Sequence, residues 1–124
     1  MIDFKNTIFQ SLTIRDNDVY RNIVSKILTR DEWIAMTFEG YRDGVVFTDK
    51  RIITINIQGF SGKKIDLTSI PYSNITAHSI ETAGAMDYDS ELTLWVRSVG
   101  AVRFQFTTGT DIYMIGKTIS DYVL

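Results

Sequence analysis

The sequence contains no cysteine, a single proline and a single histidine in 124 residues. The lack of cysteine excludes disulfides, thiolate nucleophiles and every zinc site that needs sulfur ligands. The proline, Pro71, predicts a bend or the beginning of a strand, because proline cannot donate a hydrogen bond to a sheet ladder. The histidine, His78, is the one imidazole that could act as a general base.

Long apolar runs and an excess of basic charge are also missing. No window approaches 18 uninterrupted apolar residues, and no basic stretch precedes an apolar core near residue 1, so neither a membrane span nor a signal peptide is predicted. Thirteen basic and fifteen acidic residues give a net charge of −2. Nucleic acid needs a clustered basic surface. We therefore expect a cytoplasmic protein that does not bind nucleic acid.

What the sequence does contain indicates one packed domain spanning residues 1–124. The apolar fraction is 44% and the aromatic fraction 12%, which fits a globular core at this length. Residues 1–29 are predicted to be a helical segment, since Val19, Ile23 and Ile27 recur at four-residue spacing after three capping residues, 16–18. Phe4, followed at the same spacing by Ile8 and Leu12, predicts a further helical turn or two.

Residues 32–108 alternate between apolar and polar side chains, which predicts an antiparallel sheet of about seven short strands packed on one face. Ile53, Ile55 and Ile57 are typical of this pattern. The alternation slips between Ala77 and Ile80, which predicts a bulge.

Residues 110–124 are predicted to form an amphipathic helix with an apolar stripe. Gly116 falls on this stripe, where it would allow close approach of the helix to the sheet. The stripe is formed by Ile112, Ile115, Ile119, Tyr122 and Val123.

Several ordered motifs between residues 39 and 124 resemble the bacterial pleckstrin-homology-like family; they are residues 41–53, 62–64, 69–72, 79–84 and 87–92, followed by the terminal helix. The resemblance implies a mainly β, bent antiparallel sandwich or barrel capped by the C-terminal helix. It also implies a cyclic homo-oligomeric ring and a polar surface that binds an unidentified protein partner, but it does not imply a particular activity. Because the sequence contains no catalytic constellation, we expect a non-enzymatic protein.

Two sets of residues are candidates for these contacts. Trp33 and Trp95 lie on the parity opposite the apolar face of their segments, so they are candidates for subunit contact, where tryptophan is enriched. Charged residues within the motifs are candidates for the partner surface: Arg42, Asp43, Arg51, Glu81 and Asp87.

The main alternative is a module that binds acidic lipid or phosphoinositide. Its candidate residues are Lys50, Arg51, Lys63 and Lys64. Four cations on an acidic protein would give weak, salt-sensitive attachment. The first predicted hairpin loop, residues 40–44, carries one base and one acid, whereas lipid-binding relatives of the family place several bases there.

Three patterns resemble catalytic or ligand sites but lack essential parts. His78 has no Gly-x-Ser-x-Gly nucleophile motif to accompany it, although an enzyme that uses it remains a third hypothesis. Asp87, Asp89 and Glu91 begin like a calcium loop, but positions six and twelve hold Leu92 and Ser98 instead of Gly and Glu. Residues 59–64 lack the spacing of a phosphate-binding P-loop. No catalytic, metal-binding or cofactor-binding residue is predicted.

Overall fold

The computed structural model of the chain describes residues 3–5, 8–85 and 89–124. These residues form a mainly β structure with a long C-terminal helix. The strands are β1 (Ile8–Arg15), β2 (Ile34–Glu39), β3 (Asp43–Thr48), β4 (Arg51–Gln58), β5 (Lys64–Pro71), β6 (Ile75–Glu81), β7 (Ser90–Val96) and β8 (Gly100–Phe106). The helices are α1 (Arg21–Val24) and α2 (Ile112–Val123), and a 3₁₀ turn spans Tyr72–Asn74.

The strands form one sheet in the order β5-β4-β3-β2-β1-β8-β7-β6. Neighbouring strands are antiparallel except β1 and β8, which are parallel. The first half of β1 pairs with β8 and its second half with β2, with a register shift between Phe9 and Leu12. Ser11 lies inside this shift at φ 55°, a left-handed conformation that is uncommon outside glycine. The irregularity bends β1 where the two halves of the sheet meet.

A main core fills the inner face of the bent sheet. Five phenylalanines form its centre, and Phe38 packs on Phe106 with ring centroids 4.9 Å apart. Helix α2 buries Ile112, Ile115 and Ile119 in the same core. The phenylalanines, all fully buried, are Phe9, Phe38, Phe47, Phe104 and Phe106.

A second, smaller apolar cluster lies on the outer face of the sheet, which we define as the face turned away from the main core. Tyr20 and Val24 from the N-terminal segment pack there on Val46, Ile53 and Ile55. Ile34 also belongs to the outer cluster, whereas Met36 belongs to the main core, because the register of β2 shifts between them. The sheet is therefore apolar on both faces over β2 to β4.

The prediction that residues 1–29 form a helical segment is wrong in the main. The only helix in the part that the structure describes before β2 is the single turn α1, and Ile8 and Leu12 lie in strand β1. The register shift turns both Phe9 and Leu12 into the core. Buried apolar side chains therefore recur three residues apart, as they do in a helix. β1 is also the strand beyond the seven predicted.

The predicted mainly β fold with a C-terminal helix is confirmed, with small shifts in position, whereas packing on one face only is wrong over β2 to β4. Helix α2 begins after Asp111, whose carboxylate accepts a hydrogen bond from the Met114 N–H at 3.1 Å. A Cβ atom on Gly116 would lie 3.1 Å from Ile80 Cδ1, so the glycine does allow close approach of α2 to β6. Pro71 ends β5 at a bend, and the irregularity in β6 falls between Ile75 and Ala77, slightly before the predicted bulge.

Candidate interaction surfaces

Arg51 is held by a buried carboxylate. Its Nε and Nη2 atoms donate to the two carboxylate oxygens of Glu32, each at 2.9 Å. The Thr48 hydroxyl donates to Glu32 at 2.6 Å, and the Thr29 N–H donates at 2.9 Å. Burial alone would raise the pKa of Glu32, but the hydrogen bonds from Arg51, Thr48 and Thr29 lower it to about 2. The pair is therefore ionised at neutral pH.

The remaining donors of Arg51 also bind groups of the same chain. Nη1 donates to Ser69 Oγ at 3.0 Å, and Nη2 donates to the carbonyl of Ile27. The guanidinium thus joins the N-terminal segment, β4 and β5. Because its donors have internal acceptors, Arg51 has little hydrogen-bonding capacity left for a lipid or a partner protein.

Arg42 and Asp43 lie together at the β2–β3 hairpin. Arg42 donates from Nη2 to the carbonyl of Gly59 at 2.6 Å, which connects this hairpin to the tip of the β4–β5 hairpin. Asp43 accepts a hydrogen bond from the side chain of Asn56. A shallow cleft of about 370 Å³ runs beside them, lined in part by Tyr41 and Ile57.

The four basic residues predicted to bind lipid fall at two separate places. Lys63 and Lys64 are exposed at the β4–β5 tip, whereas Lys50 and Arg51 lie at the opposite end of β4, where Lys50 Nζ donates to Thr29 Oγ1 at 2.9 Å. An eight-residue strand is about 25 Å long. The structure therefore does not bring the four cations into one patch.

Two exposed aromatic rings accompany the lysines at the hairpin tips. Tyr41 is 96% exposed at the β2–β3 tip, and Phe60 is fully exposed at the β4–β5 tip. The hydrogen bond from Arg42 to Gly59 holds the two tips side by side.

Of the other acidic candidates, Glu81 lies at the end of β6. Glu81 is exposed and pairs directly with Glu91 of β7, an arrangement of like charges that disfavours folding slightly. Asp87 lies outside the described residues. Asp43 lies on β3 and Glu81 on β6, and four strands separate these two in the sheet. The partner-surface candidates therefore do not lie on neighbouring strands.

The two tryptophans have different surroundings. Trp33 is 55% exposed; its ring packs edge-on against Tyr122 of α2, with centroids 6.5 Å apart. Trp95 is 42% exposed on the outer face of β7, where its cross-strand neighbours are Ala77 and Ala101. Each ring keeps a surface that another molecule could contact.

The His78 side chain contacts helix α2. Its Nε2 lies 3.4 Å from Ser120 Oγ, and that hydroxyl donates to the backbone carbonyl of Gly116 at 2.9 Å. The hydroxyl proton is thus used within α2. Within residues 3–5, 8–85 and 89–124, no three His, Cys, Asp or Glu side chains could hold a metal ion. In the same residues, no helix is long and apolar enough to cross a membrane.

Comparison with known proteins agrees with this architecture. The chain is 42% identical over 99 residues to the uncharacterized protein YjqA of Bacillus subtilis strain 168, an alignment that covers 78% of this chain and 79% of YjqA. It is 36% identical to a DUF1696-family protein with a pleckstrin-homology domain from Shewanella loihica PV-4, whose crystal structure superposes with a TM-score of 0.81. That match covers 92% of this chain and 98% of the other.

A further solved structure and a family-wide match complete the assignment. The pleckstrin homology domain from Shewanella amazonensis SB2B is 39% identical, with a TM-score of 0.69, over 89% of this chain and 90% of that one. The family described as Bacterial PH domain matches residues 3–123. The chain therefore belongs to the bacterial PH domain family.

Proposed function

We propose that this chain is a non-enzymatic interaction module that assembles into a cyclic homo-oligomer and offers a polar surface to another protein. The observation that carries the proposal is the pair of open edges of the sheet. Within the described residues, β5 pairs only with β4 and β6 pairs only with β7. An open edge presents unpaired N–H and C=O groups that favour pairing with another chain.

The two open edges have different surfaces, which favours a ring. β5 and β6 differ in sequence and lie at opposite ends of the strand order. A contact between unlike surfaces is head-to-tail, and head-to-tail contacts close into rings when the rotation between subunits permits. The half-exposed Trp95 lies on the strand next to the β6 edge, which supports its assignment as a subunit-contact residue. Trp33 remains a second proposed contact because more than half of its surface is exposed.

The mass of the particle in solution tests the ring. We expect multi-angle light scattering and native mass spectrometry to give one multiple of the 14.2 kDa mass of the chain. This mass should stay constant over a hundredfold dilution from about 100 µM, because an interface of standard size holds together in that range. A particle with the mass of a single chain throughout that range would contradict the proposal.

The polar surface that we propose for the partner protein lies at the β2–β3 hairpin and includes Arg42, which is exposed, and Asp43 beside it. The charge-reversed variant Arg42→Glu should lose the partner in pull-downs from the native cell while keeping the oligomer. Lys26→Glu, an exposed change in the N-terminal segment, is the control. Unchanged partner recovery with Arg42→Glu would contradict this surface.

One specific observation favours a second function, attachment to an anionic membrane. The exposed Tyr41 and Phe60 rings at neighbouring tips lie beside Lys63 and Lys64. Aromatic rings sit well at the headgroup level of a bilayer, and lysines are attracted to anionic lipid. This arrangement would attach the module by the hairpin tips rather than by Lys50 and Arg51.

Liposome sedimentation separates the two functions. If the membrane function is correct, the chain binds vesicles with 30% phosphatidylserine at low salt, and the Phe60→Ala variant and the Lys63→Glu/Lys64→Glu double variant each lose most of that binding. Lys26→Glu serves again as a charge-reversal control away from the hairpin tips. An absence of binding to these vesicles in about 50 mM salt, where screening is weak, would remove the membrane function.

A further inference from the structure

A cleft of about 350 Å³ lies at the end of the sheet where β1 and β8 begin. The turn at residues 3–5 and the end of the β7–β8 hairpin, residues 99–101, contribute to its walls. Ile8 and Arg103, which are partners across the parallel strands β1 and β8, also line it. Its volume is at the lower end of the range for small-molecule sites.

Part of this cleft is apolar. Phe4 anchors one wall, because its side chain is buried in the main core with its ring centroid 6.1 Å from that of Phe9. Ile8 and Val99 also line the cleft and keep 38% and 39% of their surface exposed. A ligand with an apolar group that covered Ile8 and Val99 would be stabilised by the removal of this surface from water.

The charged part of the cleft is basic. Of the described residues that line it, Lys5 and Arg103 are the charged ones, and both are exposed. In the part of the chain that the structure describes, neither of these two side chains forms a hydrogen bond or an ion pair. The neighbours of Arg103 on adjoining strands, Ile8 and Thr93, carry no charge. The donors of both cations are therefore available to an anion.

The cleft at the β2–β3 hairpin has nearly the same volume but different charges. There Arg42 donates to the carbonyl of Gly59, and Asp43 accepts a hydrogen bond from Asn56, so both charged groups are bonded within the chain. An anion that entered that cleft would also meet the Asp43 carboxylate. We therefore expect an anion to prefer the cleft where β1 and β8 begin.

We infer that the cleft of Lys5 and Arg103 binds a small anionic amphiphile, a carboxylate or a phosphate monoester that carries an apolar chain. The guanidinium of Arg103 presents parallel N–H groups that match the oxygens of either head group. The Lys5 ammonium adds a second positive charge, and the apolar chain of the ligand lies against Ile8 and Val99. Such a site goes beyond the interaction functions proposed above, and it needs no second copy of the chain.

Equilibrium dialysis of the full chain against four labelled probes tests the ligand class. Octanoate and octyl phosphate, kept below the concentrations at which they form micelles, each combine an anionic head with an apolar chain. Octylammonium carries the same chain with the opposite charge, and acetate carries the carboxylate without the chain. At least one octyl anion should bind more than about tenfold more tightly than octylammonium and acetate. A smaller ratio, or no binding of either octyl anion, would overturn the site.

Neutral variants locate the bound anion. Arg103→Gln should weaken binding of the octyl anion more than about tenfold, because a hydrogen-bonded charged partner is lost. Lys5→Gln should weaken binding in the same direction. Lys117→Gln makes the same charge change at an exposed position of α2 and should bind as the wild type does. Unchanged binding by Arg103→Gln would overturn the site.

Reversal of the charge separates loss of the site from loss of the fold. The double variant Lys5→Glu/Arg103→Glu, with a circular dichroism spectrum like that of the wild type, should bind octylammonium more tightly than octanoate. Misfolding would not produce this exchange of preference. A folded double variant that still prefers octanoate would show that the anion binds elsewhere on the chain.

Discussion

Glu32 and Arg51 are joined by two parallel hydrogen bonds of 2.9 Å between the residues preceding β2 and the first residue of β4. The Glu32 side chain is fully buried, and Arg51 also contacts Ile27 and Ser69. This one guanidinium therefore attaches the N-terminal segment to the sheet, beside the outer cluster that Tyr20 and Val24 form. The paired geometry is the strongest form of an ion pair in proteins.

Removing the guanidinium should destabilise the fold strongly. Arg51→Ala leaves a buried, unpaired carboxylate, and loss of one partner from a buried pair costs about 3–5 kcal/mol in the free energy of unfolding. The control is Arg15→Ala, which removes the exposed ion pair with Glu39 and should cost less than about 1 kcal/mol. Urea denaturation measures both, and equal losses in the two variants would contradict the structural role of Arg51.

The lowered pKa of Glu32 predicts an acid dependence of stability. A carboxyl whose pKa falls from 4.5 to about 2 on folding stabilises the protein above the unfolded pKa, and that contribution disappears as pH falls through the folded pKa. The difference corresponds to about 3 kcal/mol. The free energy of unfolding of the wild type should exceed that of Glu32→Gln by a constant amount above about pH 5, and this difference should shrink toward pH 2.

Urea midpoints of the two proteins at a series of pH values give this difference directly. Glu39→Gln, which removes one charge of an exposed ion pair, is the control and should cost less than about 1 kcal/mol. A difference in the free energy of unfolding between the wild type and Glu32→Gln that stays constant down to pH 2 would contradict the lowered pKa of Glu32.

The sequence predicted the sheet and the terminal helix because their signals are local. Alternation with period two in β4 and the stripe that includes Ile115 and Ile119 reflect burial of one face against one core. The N-terminal segment was mispredicted because its burial depends on a bend at Ser11 and on contact with strands distant in sequence. Such a bend changes the spacing at which apolar side chains face the core, and sequence analysis assigns helices and strands from that spacing.

The candidate sites were harder to predict than the fold. Charge alone made Arg51 a surface candidate, yet its partner, Glu32, lies 19 positions away and carries no motif that would identify it as buried. Parity made Trp95 a candidate for subunit contact, but its position beside an open edge follows only from the strand order, which places β5 and β6 at the edges. Edge positions depend on topology, and side-chain composition does not encode them.

Tyr72 should contribute to stability through its hydroxyl. Its Oη donates to the buried Thr48 carbonyl at 2.6 Å, and burial raises the pKa of the phenol well above its usual range. Tyr72→Phe keeps the ring stacked on Tyr122, whose centroid is 5.0 Å away, but leaves the carbonyl without this donor. We expect a loss of about 1–2 kcal/mol in the free energy of unfolding, measured in urea, whereas a loss below about 0.3 kcal/mol would show that water replaces the hydroxyl without cost.

Gly44 should be intolerant of even one added methyl group. A Cβ atom at this position would lie 2.5 Å from Cε2 and Cζ of Tyr20 and nearer still to its phenolic oxygen, closer than any real contact allows. Gly44→Ala must therefore displace Tyr20 from the outer cluster, at an expected cost of about 1–3 kcal/mol. Gly84→Ala is the control, because a Cβ atom there would meet no atom within 4 Å in the part of the chain that the structure describes.

A double-mutant cycle separates this clash from any general strain in β3. In a Tyr20→Ala background the added methyl group has no ring to displace, so Gly44→Ala should cost at least about 1 kcal/mol less than it does in the wild type. Equal costs in the two backgrounds would mean that the methyl group acts on the strand itself. The cycle thus tests whether the N-terminal segment is held on the sheet by the direct packing of Tyr20 on Gly44.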